Sequence, residues 1–116
     1  MLDTPLLNNL GRYLDAAARR EAVIAGNISN IDTPGYQTRD INFQQELHRL
    51  MEGGAENSAI PAQVVPGLIA RPDGNNVSFE REGLLLGQTQ LQFRAGVELV
   101  KAEFHKLQTA ISEGSK

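Results

Sequence analysis

The residues able to do chemistry in this chain are few and scattered. Two histidines, His48 and His105, lie in different helices, and neither is read with an Asp, Glu or His three or four residues on to complete a ligand pair on one face, so no zinc site is expected. The serines at 29, 58, 78, 112 and 115 lack the flanking glycines of a nucleophile elbow. Asp73-Gly74-Asn75-Asn76 opens like a calcium loop, but Ser78 stands where the loop needs glycine and Leu84 where it needs glutamate. The segment therefore reads as a turn. Gly83 and Gly87 lack the lysine and spacing of a phosphate loop. With no cysteine, thiolate chemistry and disulfides are excluded. The reading is of a chain with no catalytic, metal-binding or cofactor-binding residue.

Charge and length narrow the partners. Eleven basic and fourteen acidic residues leave a net charge of -3, spread without a basic patch, which argues against nucleic acid. Arg12, Arg19 and Arg20 read as a solvated face, and Glu21 as a solvated charge. No run of 18 apolar residues could cross a bilayer, so no direct membrane insertion is expected. Acidic Asp3 and polar Asn8, Asn9 and Arg12 do not fit a cleavable secretion signal. At 116 residues there is material for one domain.

What organises the chain is two heptad tracks. Leu7, Leu10, Leu14, Ala17, Ile24, Ile28 and Ile31 follow a and d positions over residues 1–31, with Thr4 or Asp3 as cap and Pro5 at the first helical position. Phe79, Leu86, Phe93, Val100 and Leu107 recur every seven residues through 79–116, joined in the second half by Val97, Phe104 and Ile111. Between them, 32–42 is a turn and extended segment, in which Asp32-Thr33-Pro34-Gly35 suits a type II turn. A short helix over 43–52 is capped by Asn42 and carries Phe43, Leu47, Leu50 and Met51 on one face. The loop 53–78, rich in proline and glycine, offers Val64-Val65 and Leu68-Ile69 as the arms of a small hairpin.

The fold class that follows is mainly α: two long terminal helices in an antiparallel, coiled-coil-like pair, a proline- and glycine-rich, partly disordered middle, and one short helix or hairpin. Narrow seams suit contact with other helices more than a globular core. A lone two-helix hairpin is marginal, so the seam residues Leu7, Leu10, Leu14, Ala17, Ile24, Ile28, Phe93, Val97, Val100, Phe104, Leu107 and Ile111 are expected to work in assembly. A helical-hairpin secretion chaperone is the alternative reading, since it too shows narrow seams and an acidic balance.

The stretch Ala25-Gly26-Asn27-Ile28-Ser29-Asn30-Ile31-Asp32-Thr33-Pro34-Gly35-Tyr36 resembles the signature of the flagellar rod, hook and hook-associated proteins. Two asparagines three apart end a helix, and an Asx-Thr-Pro-Gly-Tyr turn follows. Arg39-Asp40-Ile41-Asn42-Phe43, Asp73-Gly74-Asn75-Asn76-Val77 and the short chain are most similar to the proximal-rod type within that family. Only residues 53–71 carry no likeness.

The resemblance implies a structural subunit of the flagellar basal-body rod, the shaft that crosses the periplasm, transmits torque and surrounds the export channel. It also implies export by the flagellar type III apparatus without a cleaved signal. The implied partners are other copies of the chain, other rod proteins, a rod-base adaptor at the membrane ring and the export apparatus. Asn27, Asn30, Asp32, Thr33, Pro34, Gly35 and Tyr36 are the signature residues it singles out.

Overall fold

A computed structural model describes residues 4–53 and 60–114. Helix α1 runs Pro5–Ser29, strand β1 Arg39–Asp40, helix α2 Phe43–Met51, strand β2 Gln63–Val64 and helix α3 Phe79–Gly114. The local chemistry of each start is simple. Thr4 Oγ1 accepts from the Leu7 N–H at 3.1 Å, and Pro5 follows where a missing N–H costs nothing. Asn42 Oδ1 accepts from Gln45 N–H at 3.0 Å to open α2, and Ser78 Oγ accepts from Arg81 N–H at 3.2 Å to open α3. α1 stops at Ser29, two residues short of the apolar track, because the chain turns at Asn30.

The helices α1 and α3 lie antiparallel, as two contacts fix: Asn27 meets Glu82, and Tyr13 and Leu14 meet Gly96. From Leu14, α1 reaches back nine residues to Pro5, while α3 continues eighteen from Gly96 to Gly114. The last nine residues of α3, about 14 Å of helix, therefore outrun their partner. The radius of gyration is 18.4 Å and the extents are 70 × 27 × 19 Å, against about 13 Å for a compact chain of this length. No helix among the described residues is long and apolar enough to cross a membrane.

The seam between α1 and α3 differs in register from the heptad reading. The α3 residues fully buried are Glu82, Thr89 and Gly96, spaced by seven, whereas Phe93, Phe104 and Ile111 are exposed. On α1, Ala17 and Ile24 are buried with Ala16, while Leu7, Leu10, Leu14 and Ile28 are half-buried; Val97, Val100 and Leu107 are half-buried on α3. The physical reason is close approach. Tyr13 and Leu14 lie over Gly96, where any side chain would collide, so the small and polar line of α3 faces α1 and much of its apolar track faces outward.

The middle is more tied down than its proline and glycine content suggests. β1 and β2 pair antiparallel, Arg39 opposite Val64 and Asp40 opposite Gln63. The hairpin expected between Val64-Val65 and Leu68-Ile69 does not form, because Val64 takes its partner from residue 39 and the Val65 N–H bonds the Thr38 carbonyl at 2.9 Å. Residues 54–59 of the loop lie outside the described residues.

α2 is held on α1 by an edge-to-face ring contact of Tyr13 and Phe43, with centroids 5.6 Å apart, and by ion pairs. Arg20 grips both oxygens of Asp40 at 3.2 and 3.0 Å, and Arg19 and Arg49 both bond the fully buried Glu46. Arg19 and Arg20 are thus not the solvated face expected. Each carries a guanidinium to the one carboxylate that α2 or β1 brings beneath α1.

Candidate functional site

The signature turn sits at the end of the molecule where α1, β1, the loop and the start of α3 converge, and polar groups join them. Thr33 to Tyr36 form the turn: the Tyr36 N–H donates to the Thr33 carbonyl at 3.2 Å, with Pro34 and Gly35 at the centre. Gly35 has φ +75°, a conformation that a side chain adopts only at a cost of about 1 kcal/mol or more.

Asn27 is the hub. It is wholly buried, and its carboxamide makes all four of the bonds it can. Nδ2 donates to the Arg39 carbonyl at 2.8 Å and to Glu82 Oε1 at 2.6 Å; Oδ1 accepts from the Tyr36 hydroxyl and the Arg39 N–H, each at 3.0 Å. One side chain thereby acts as a strand partner on the free side of β1 and ties the turn to α3. The other oxygen of Glu82 accepts from Arg81 at 2.7 Å, so this buried carboxylate is satisfied on both sides.

Asn30, one turn on, has a local task. Its Nδ2 donates to the Gly26 carbonyl at 2.8 Å, and its Oδ1 accepts from the Thr33 hydroxyl at 3.1 Å. Asp32 is exposed and makes none of these bonds.

The second half of the site comes from Asp73-Gly74-Asn75-Asn76-Val77. Asp73 Oδ1 accepts from the Asn75 N–H at 3.0 Å, which turns the chain and points Asn75 inward. Asn75 Nδ2 then donates to the Asn30 and Thr33 carbonyls at 2.9 and 2.8 Å. Asn76 Oδ1 accepts from the Thr38 N–H at 2.7 Å, and its Nδ2 donates to Gln37 Oε1 at 3.0 Å. Arg71 donates to the Val77 carbonyl at 3.1 Å and to the Ile31 carbonyl, placing a positive charge just past the C-terminal end of α1, whose own last turn has no basic residue.

Two glycines meet back to back at the seam of these halves. The Gly35 N–H donates to the Asp73 carbonyl at 2.9 Å, and a Cβ on Gly74, whose φ is +87°, would stand 3.3 Å from the Gly35 Cα. Gly74→Ala is expected to lose about 1–3 kcal/mol, since backbone strain and a contact with immovable backbone add. Chemical denaturation of the full chain measures it. A loss below that of Gly53→Ala, at a positive-φ glycine with open space around it, would show that the two halves do not meet closely.

The arrangement is a clasp whose polar side chains bond one another and the backbone of the segments they join. Among the described residues no three potential ligands converge on a metal position. His48 does have a carboxylate one helical turn on, which the sequence reading overlooked: Glu52 lies 3.1 Å from its Nε2, an exposed pair that is ionic when the imidazole is protonated. Asn75, Asn76, Arg71, Glu82 and Glu46 were also not singled out as site residues. The cue available was the resemblance of Asp73–Val77 to a proximal-rod element, which marks the segment but not what its side chains hold.

The family profile described as "Flagella basal body rod protein" matches residues 7–37, which cover most of α1 and the signature turn. The match extends well beyond that segment. The flagellar basal body rod protein FlgB of Salmonella typhimurium is 31% identical over 123 aligned positions, covering 88% of this chain and 89% of that protein. The chain belongs to the FlgB family of flagellar rod proteins. FlgB of Bacillus subtilis is 30% identical, covering 93% of this chain and 94% of its own length, and FlgB of Escherichia coli is 28% identical over 88% and 89%. This FlgB-family chain is a structural subunit of the flagellar basal-body rod, and the clasp lies partly within and partly beyond the segment that the rod family shares.

Proposed function

We propose that this FlgB-family chain builds the proximal part of the rod by laying its terminal helices against those of neighbouring subunits, so that the shaft encloses the export channel and carries torque across the periplasm. On this reading it catalyses nothing. It meets copies of itself, other rod proteins, an adaptor at the membrane ring and the type III export apparatus, which receives it without a cleaved signal. The signature residues Asn27, Asn30, Thr33, Pro34, Gly35 and Tyr36 set the angle at which the chain leaves α1, and exposed Asp32 is left for a neighbour.

The observation that carries the proposal is the outward apolar face of the terminal helices. Phe93 is 37% exposed, Phe104 39% and Ile111 63%, and among the described residues no helix of its own chain runs beside the end of α3. Such a face is stable in water only when something covers it. The half-buried members, Leu7, Leu10, Leu14, Val97, Val100 and Leu107, continue that surface inward.

Phe104→Asp tests it, because the ring is accessible in the lone chain and its loss leaves the clasp and the Gly96 crossing untouched. Expression and export are expected to persist while incorporation into purified basal bodies and swimming are lost, since a charge in a buried seam is left without a partner. Normal motility of this variant would show that the face is not covered in the rod.

A further inference from the structure

Ile69 is 93% exposed, the most exposed of the large apolar side chains among the described residues. A single exposed aliphatic residue is ordinary on a protein surface. This one stands on a loop held at both ends: the Val65 N–H donates to the Thr38 carbonyl at 2.9 Å, and the Arg71 N–H to the Asn75 carbonyl at 2.8 Å. Between them Pro66 and Gly67 turn the chain, with Gly67 at φ +81°. Half-exposed Val64 lies on the strand just before this turn. The knob is thus presented in advance, with its ordering cost already met by the fold.

A socket of matching character lies elsewhere on the molecule. Where α1, α2 and α3 meet, Leu10, Tyr13, Leu47, Met51, Ala95 and Leu99 line an open apolar cavity of about 230 Å³. Its rim residues Met51 and Leu99 are 45% and 56% exposed. Ile69 cannot fill its own socket. It sits on the loop tied to the far end of α1, and Tyr13 precedes Ser29 by sixteen residues, about 24 Å along the helix.

We propose that Ile69 of one copy seats in the α1–α2–α3 socket of the next copy. Knob and socket are different surfaces, so the contact is head-to-tail, and each copy that offers a knob still has an empty socket. A contact of that kind repeats without closing unless the rotation per step happens to form a ring. It gives the rod reading, on which it rests, one specific contact, made by the loop and the short helix rather than by the terminal helices alone.

The chain has no cysteine, so introduced thiols report unambiguously. Ile69→Cys and Met51→Cys variants of the full chain, with tags of different length, would be produced together in flagellated cells lacking the unmodified gene and treated with a short bifunctional thiol reagent. The expected product is a dimer carrying both tags, about tenfold above the yield from Ile69→Cys paired with Gln88→Cys. Either variant alone should give no dimer, and the double variant Ile69→Cys/Met51→Cys should give a ladder of multimers. Leu47→Cys in place of Met51→Cys should reproduce the mixed dimer.

Mixed dimers no more abundant than the Gln88→Cys control, homodimers of Ile69→Cys alone, or linkage only to a chain of different mass would each overturn the proposal. Basal bodies purified in parallel from cells that carry the unmodified gene separate the two failures. If they contain the unmodified chain while the cross-link is missing, the knob and socket are wrong and the rod subunit stands; if they lack the chain, both are wrong.

Discussion

Replacing Asn27 with leucine is expected to destabilise the chain by about 3–5 kcal/mol, as much as any single change outside the α1–α3 crossing. The side chain is wholly buried, and its loss strands the equally buried Glu82 carboxylate. Glu82 Oε1 loses its donor, while the Arg39 N–H and carbonyl lose the partner that completes the free side of β1. Leucine is close in volume, so the effect would report lost hydrogen bonds rather than a cavity.

Asn27→Asp is the informative companion. Its second oxygen would face Glu82, where the amide now donates, so the isosteric change is expected to be about as damaging as leucine. Glu82→Gln in the Asn27→Asp background should recover part of the loss by restoring a donor. Urea denaturation together with amide exchange at Arg39 measures all three, and a loss under about 1 kcal/mol for Asn27→Leu would mean that the clasp is incidental to stability.

The other large effect is expected at Gly96. A Cβ there would lie 2.7 Å from Leu14 Cδ2 and 3.1 and 3.2 Å from two atoms of the Tyr13 ring. Leucine can move, but the ring is fixed by its contact with Phe43, so the helices must separate. Gly96→Leu is expected to cost about 3 kcal/mol or more and to open the seam on both sides. Gly87→Ala is the opposite case. Nothing lies within 4 Å of its Cβ position, and it should gain about 1 kcal/mol from helix propensity alone. The pair is read by thermal melting of the isolated chain. If both changes stabilise, α1 and α3 are not held together at this crossing.

The two effects share a cause, the composition of the interior. Among the described residues only Ala16, Ala17, Ile24, Ile41 and Val77 are buried apolar side chains, against seven buried polar ones, Asn27, Thr38, Glu46, Asn75, Asn76, Glu82 and Thr89. Hydrophobic burial alone therefore offers little to hold this fold, and directional bonds decide how its segments meet. The apolar residues that a globular chain would place inside lie instead on the surfaces of α3 and the loop.

What the sequence determined by itself is local. Thr4-Pro5 and Asn42 mark helix starts because capping needs only a side-chain oxygen and the next few N–H groups. Pro34-Gly35 sets a turn because φ is restricted at one residue and free at the other. Heptad spacing marked α1 and α3 as long helices with an apolar stripe, and the Asn27–Tyr36 stretch pointed to the family.

Which helix covers a stripe is not encoded in its period, so the register of Glu82, Thr89 and Gly96 against α1 came only from the structure, where Tyr13 requires a glycine opposite. The clasp was hidden for a related reason. Asn75 reaches carbonyls more than forty residues away, and Asn27 reaches Glu82 across fifty-five. A hydrogen bond leaves no periodic trace in the residues that make it, so an asparagine in a loop looks the same whether it meets water or the end of another helix. Only folding brings Asn27, Tyr36, Asn75 and Glu82 to one place, and the physical reason is that a buried polar group must find its partner wherever the chain supplies one.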